Sequence, residues 1–140
     1  MNRERMARSR GAENLRPPPI PKEGCILETT EIARTAVELA SEKQAEDIVM
    51  LDLREVCSFT DYFVICSGTS SRQIRTIVDE VEKGLRVAGI RTLHLEGADD
   101  TGWVLMDFGE VIVHVFHPRE REFYGLERLW SNALPVLRIM

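Results

Sequence analysis

Between Gly102 and Pro118, in GWVLMDFGEVIVHVFHP, two runs rich in Val, Ile, Leu and Phe flank a short Gly109-Glu110 connection. That pattern predicts two paired strands around a tight turn. Side chains alternate across a strand, so Val104, Met106 and Phe108 share one face and Trp103, Leu105 and Asp107 the other. The first set belongs in a core. The second mixes a large aromatic, an aliphatic and a carboxylate, which is seldom buried without a partner, so this face is expected to be at least partly exposed. A Trp-Leu patch on a rigid strand is the composition of a docking surface.

The remaining elements follow from period and punctuation. Ile32, Ala36, Leu39 and Ala40 recur at helical spacing and predict a first helix from Thr29 or Thr30 to about Ala45, with a threonine cap and Glu31 in its first turn. Asp47 to Leu53 and Asp61 to Ser67 are short, nearly continuous apolar runs, expected as strands buried on both faces. A second helix is predicted from about Ser71 to Ala88: Ser70 and Gln73 have capping-box spacing, Ile74, Ile77, Val78, Val81 and Leu85 form an apolar face, and Gly89 is its stop. Arg91 to Glu96 is a third strand, Gly97 to Thr101 a loop, and about Arg119 to Trp130 a third helix with Phe123, Leu126 and Trp130 on one face. Ser131 to Met140, interrupted by Pro135, is expected as an irregular apolar tail. The order α-β-β-α-β-β-β-α predicts an α/β protein of α+β type, a five-stranded mixed sheet with about three helices packed on it.

At 140 residues and 44% hydrophobic content the chain suits one domain with a substantial core. Residues 1–24 differ from the rest: they lack hydrophobic periodicity, contain Pro17-Pro18-Pro19, and carry six basic against three acidic side chains. The expected organisation is a disordered, basic, Pro-rich arm over 1–28 and one domain over 29–140. The overall charge of −5 includes +3 from residues 1–24, which leaves −8 for the remainder. So acidic a body is poorly suited to gripping phosphate backbones and better suited to a basic protein partner. The arm itself is either a peripheral contact to RNA, ribosomal or other, or a dispensable extension. Cys25, Cys57 and Cys66 are odd in number and lack CxxC spacing, as expected of isolated reduced thiols in a cytosolic protein. No apolar run approaches the roughly 20 residues of a membrane span.

Candidate chemistry is sparse. The Ser67-Gly68-Thr69-Ser70-Ser71-Arg72 loop joins a strand to a helix and invites an anion-binding reading, but it lacks GxxxxGK[ST] and GxGxxG, and its hydroxyls suit caps and turns. Nucleotidyl transfer would need carboxylates converging on a metal. Asp99 and Asp100 are adjacent in a loop and Asp107 stands alone on its strand. His114 and His117 are three apart, on opposite faces of a strand, and His94 is on another, so packing or surface roles are expected for all three. No catalytic residue, cofactor or metal is expected. Trp103 is either a packing residue or the anchor of an interface, where tryptophan concentrates binding energy.

Taken together, DYFVICSGTSSRQIRTIVDEVE, the Glu96-Gly97 pair and GWVLMDFGEVIVHVFHPREREFYGLERLW closely resemble the Iojap family, whose bacterial members are ribosomal silencing factors. The resemblance runs from about Thr29 to Trp130. It implies a nucleotidyltransferase-like fold without catalytic carboxylates, and a non-enzymatic, cytoplasmic translation factor. Such a factor would bind the large ribosomal subunit through protein L-fourteen and hinder joining of the small subunit when nutrients are short. It also implies a contact surface centred on Trp103, with Leu105 and Asp107 beside it. His117, Pro118 and Tyr124 match further family segments and are secondary candidates that could instead fix the third helix. The competing readings are a nucleotide-binding enzyme on the same fold, active near Ser70 and Asp107, and an RNA-binding ribosome assembly factor using the arm. An exposed apolar strand face would also permit a homodimer away from the ribosome.

Overall fold

The computed structural model describes residues 28–140. The chain runs α1 (Thr29–Glu42), β1 (Glu46–Asp52), β2 (Tyr62–Ser67), α2 (Ser71–Val87), β3 (His94–Ala98), β4 (Trp103–Asp107), β5 (Val111–Phe116), α3 (Pro118–Tyr124), α4 (Leu126–Leu129) and β6 (Leu134–Ile139). The arm expected over 1–28, apart from Glu28, and Cys25 within it lie outside the described residues.

The strands form one mixed sheet in the order β3-β4-β5-β2-β1-β6. β2 and β5 are parallel and every other neighbouring pair is antiparallel. The class is the expected one, but the sheet has six strands. The sixth comes from the stretch expected as an irregular tail: Ile48 pairs with Ile139, Met50 with Leu137 and Leu51 with Pro135, with a register shift between Met50 and Leu51. Proline lacks a ladder donor and is tolerated on an edge strand or at a bulge, and Pro135 has both.

One face of the sheet is covered by α1 and α2. Ile32, Ala33, Ala36, Val37 and Ala40 from α1 and Ile74, Ile77, Val78, Val81 and Leu85 from α2 close over Met50, Val64, Cys66, Val104, Met106 and Val113. Val104, Met106 and Phe108 are all in this core, as the alternation of the hairpin requires. β2 is buried along its whole length.

Local signals set the ends of these elements. Ser70 Oγ accepts from Gln73 N at 3.1 Å, half of the expected capping box. The other half shifts by one residue, because Gln73 Oε1 accepts from Thr69 N at 2.7 Å instead of from the cap's own N–H. Gly89 follows α2 at φ +93, as a stop should. α1 departs from expectation at both ends. Its cap is Glu28, with no side-chain hydrogen bond, and Thr30 Oγ1 is engaged with Tyr62 Oη at 2.7 Å instead of capping. It ends at Glu42 rather than Ala45, and Gln44 at φ +64 turns the chain toward β1.

The third strand begins at His94, three residues later than expected, and takes in Gly97 and Ala98 from the expected loop. The third helix is broken. Gly125, at φ +58, ends α3 with its N–H on the Arg121 carbonyl at 3.0 Å, and the single turn of α4 sets off in a new direction. Leu126 and Trp130 therefore pack on the second face of the sheet, while Phe123 is left 77% exposed and separated from them.

Candidate functional site

The second face is only partly roofed. Val49, Leu51, Phe63, Ile65, Ile112 and Phe116 form its floor, and Val56, Cys57, Leu126 and Trp130 pack over one side. Toward β4 the cover thins to Tyr124, the last residue of α3, which meets Trp103. Trp103, Leu105 and Asp107 alternate with the buried Val104 and Met106, and each is half-buried.

Trp103 is held on several sides. Its ring stacks on Phe116 with centroids 4.9 Å apart and meets Tyr124 at 4.6 Å. Its indole nitrogen lies 3.2 Å from His114 Nδ1. Tyr124, 45% exposed, extends the aromatic surface outward. Leu105 follows two residues along β4, and Glu96 pairs with it across the β3–β4 ladder. Glu96, Gly97, Trp103 and Leu105 line a shallow depression of about 150 Å³. The Glu96 carboxylate at its margin contacts His94 Nε2 at 2.6 Å.

The structure thus brings together Trp103, Leu105 and Tyr124 among the residues selected from sequence. The other three do local structural work. Asp107 Oδ1 accepts from Gly109 N at 2.7 Å and shapes the hairpin turn, where Gly109 has φ +96. His117 is the cap of α3: its Nδ1 accepts from Arg119 N at 3.2 Å and lies 3.5 Å from Glu120 Oε1. Pro118 opens α3, where a missing N–H costs nothing, and is exposed. His117 N also donates to Gly102 O at 2.8 Å, which fixes the start of α3 beside the base of β4.

Two neighbours escaped the sequence reading. His114, expected in a packing or surface role, lies 3% exposed beneath Trp103. Burial pushes its pKa down to about 3, so the ring is neutral at physiological pH. Glu96 came with a motif but without a role, and only the β3–β4 register shows it beside Leu105.

Several other polar groups do structural work. Arg121, nine-tenths buried, donates to Ser67 Oγ at 2.8 Å and Glu127 Oε2 at 2.7 Å, and its guanidinium lies 3.7 Å from Asp47. Arg138 of β6 closes the ring by donating to the same Asp47 at 2.8 Å. Its hydrogen bond holds the Asp47 carboxyl below the ordinary aspartate value, with Arg121 adding to the effect. The network ties α3, α4 and the edge strand β6 to the start of β1. Burial pushes the Cys66 thiol up to about 12. Asp99 pairs with Arg75 at 3.4 Å, and it stands beyond the opposite end of β4 from Asp107. Among the described residues no group of three or more His, Cys, Asp and Glu gathers as a metal site would require. Among them, too, no helix is long and apolar enough to cross a membrane.

Residues 27–139 match the family model described as "Ribosomal silencing factor during starvation". The chain belongs to this family of ribosomal silencing factors. It is 42% identical over 102 residues to Ribosomal silencing factor RsfS of Bacillus subtilis, covering 73% of this chain and 86% of that one. It is 32% identical over 127 residues to "Mitochondrial assembly of ribosomal large subunit protein 1" of Mus musculus, covering 89% of this chain and 54% of the mouse protein. A crystal structure of a Chromobacterium violaceum protein, 33% identical, superposes with a TM-score of 0.73 over 75% of this chain and 88% of that one. The silencing-factor family thus accounts for the whole of the sheet and its helices, and the role it carries is regulatory.

Proposed function

We propose that this silencing factor binds the large ribosomal subunit through ribosomal protein L-fourteen. By occupying the face where the small subunit docks, it hinders subunit joining and so represses translation when nutrients are short. The observation that carries this reading is the thinly covered strand β4, which presents Trp103 and Leu105 from a rigid sheet, with Tyr124 against the indole. Aromatic anchors on rigid elements concentrate binding energy because little side-chain entropy remains to be lost. The mouse relative's name places that protein with the large subunit, and this chain is similar to it over most of its length.

Trp103 is the anchor, Leu105 and Tyr124 extend it, and Asp107, His117 and Pro118 form the margin. The chain carries a net charge of −8 beyond its first 24 residues, which favours encounter with a basic ribosomal protein. Blocking needs only occupancy, so the factor works in the cytoplasm without catalysis or a cofactor. Residues 29–140 are the acting unit, and the basic arm is an appendage to it.

Sedimentation of the full chain with separated ribosomal subunits, together with the yield of joined ribosomes, tests this. The native protein should travel with the large subunit and lower joining, and Trp103→Ala should lose both properties. A native protein that ignores the large subunit refutes the proposal.

A further inference from the structure

Beneath the open face, one of the residues in contact with Trp103 is a histidine where packing alone calls for a hydrocarbon. His114 is surrounded by rings: Phe63 edge-on at 4.6 Å, Phe116 at 6.1 Å and Trp103 at 6.0 Å. An indole nitrogen is only ever a donor, so His114 Nδ1, 3.2 Å away, accepts and the ring proton resides on Nε2. That Nε2 is buried and has no hydrogen-bond partner among the described residues. Leaving a buried donor unpaired is unfavourable, and a phenylalanine here would avoid it. The histidine's one polar contact among the described residues is the bond to Trp103.

That bond determines which part of Trp103 faces outward. With the N–H turned into the sheet and satisfied there, the partly exposed indole offers a partner ring surface and no donor. The Phe116 stack and the Tyr124 contact limit tilting of the ring, whereas the hydrogen bond fixes which edge points inward. A phenylalanine at 114 would fill the space but leave the indole free to turn over.

We propose that His114 is a positioning residue of the docking face: by accepting the Trp103 indole N–H it sets the side chain in advance, so that the partner meets an apolar ring surface, read by aliphatic or cationic groups, and not a hydrogen-bond donor. This rests on the docking face described above. The two are nevertheless separable, because the orientation of Trp103 can be measured in the free protein.

The test compares the full-length native chain with His114→Phe, which keeps a ring and removes the acceptor, and with His114→Asn, whose amide oxygen can take the place of Nδ1. In nitrogen-15 NMR of the native protein, His114 Nδ1 should be unprotonated and the Trp103 indole N–H slow to exchange. His114→Phe should retain the native circular dichroism, lose that protection, and bind the large subunit about three- to tenfold more weakly, as expected when one large side chain must be ordered during binding. His114→Asn should restore much of both. A protonated Nδ1 in the native protein, or an indole N–H equally protected in His114→Phe, overturns the proposal. So does large-subunit binding by His114→Phe as tight as native. If the native chain does not bind the subunit at all, the docking reading fails, and the two NMR measurements alone still decide what His114 does. A failure of His114→Phe to fold leaves the decision with the native tautomer and the asparagine variant.

Discussion

The two faces of the sheet are built from different chemistry. Where α1 and α2 cover it, the contacts are mostly small and aliphatic, among them Ala33, Ala36, Ala40, Val64, Val81 and Val113, and the Tyr62 hydroxyl is paired with Thr30. Where it is open, the contacts come from Trp103, His114, Phe116 and Tyr124, and three of these four rings carry a nitrogen or oxygen. The difference follows from what each face must do. A face closed by the chain's own helices has only to exclude water, and interchangeable aliphatic volume does that. A face left for a partner must hold a large side chain at the surface without letting it wander, and a directional bond to a buried acceptor does what packing alone cannot.

The sharpest contrast is between two residues on opposite faces of one strand. Met106 of β4 points into the covered core and is fully buried, and Met106→Ala should lower stability by about 2–5 kcal/mol. Urea denaturation measures that loss, and the fraction that remains folded should still bind the large subunit. Trp103→Ala, on the other face, should show its larger effect in binding, weakened by about 2 kcal/mol or more, or roughly 30-fold. Quantitative co-sedimentation reads this directly. Equal and parallel losses of stability and binding in both variants would abolish the distinction between the faces.

The open face should also carry a pH signature that the covered face lacks. His114 is held well below the ordinary histidine value, so the unfolded chain takes up a proton that the folded chain refuses. Stability is therefore undiminished above about pH 6.5 and falls as pH drops toward 3, by at most about 1.4 kcal/mol per pH unit. The lowered aspartates Asp47 and Asp52 act in the same sense, but only below their ordinary value near 3.8. Between pH 6.5 and 4 the difference in slope between the native chain and His114→Phe therefore reports His114. Urea midpoints measured across that window should fall more steeply in the native chain than in His114→Phe.

The smallest expected effect is Leu105→Ala. Its side chain is half-buried on the open face, so the change in stability should stay below about 1 kcal/mol while binding still weakens measurably.

Much of this organisation was legible along the chain. The alternation in WVLMDFG separates the two faces of β4, and Ser70, Gln73 and Gly89 bracket α2. These signals are local, because strand alternation, capping and positive φ are determined by residues a few positions apart. What escaped was mostly non-local in its consequences. Pro135 reads as an interruption until an edge of the sheet is available to accommodate it, and the tail becomes β6 only because β1 has an unpaired side. Gly125 looks like an ordinary interruption of a helical stripe, yet its left-handed conformation sends Phe123 into solvent and Trp130 onto Phe63 at 5.8 Å.

The amino-acid order by itself determined the mixed α/β class, the inward set of the hairpin, and the choice of Trp103 and Leu105 as a candidate surface. It could not distinguish Asp107 as a turn former or His117 as a helix cap from residues free to meet a partner, since those bonds depend on where the backbone turns. Nor could it separate His114 from the other histidines. That distinction rests on a bond between neighbouring strands 11 positions apart, and only the register that sets Leu105 opposite His114 brings the imidazole under the indole.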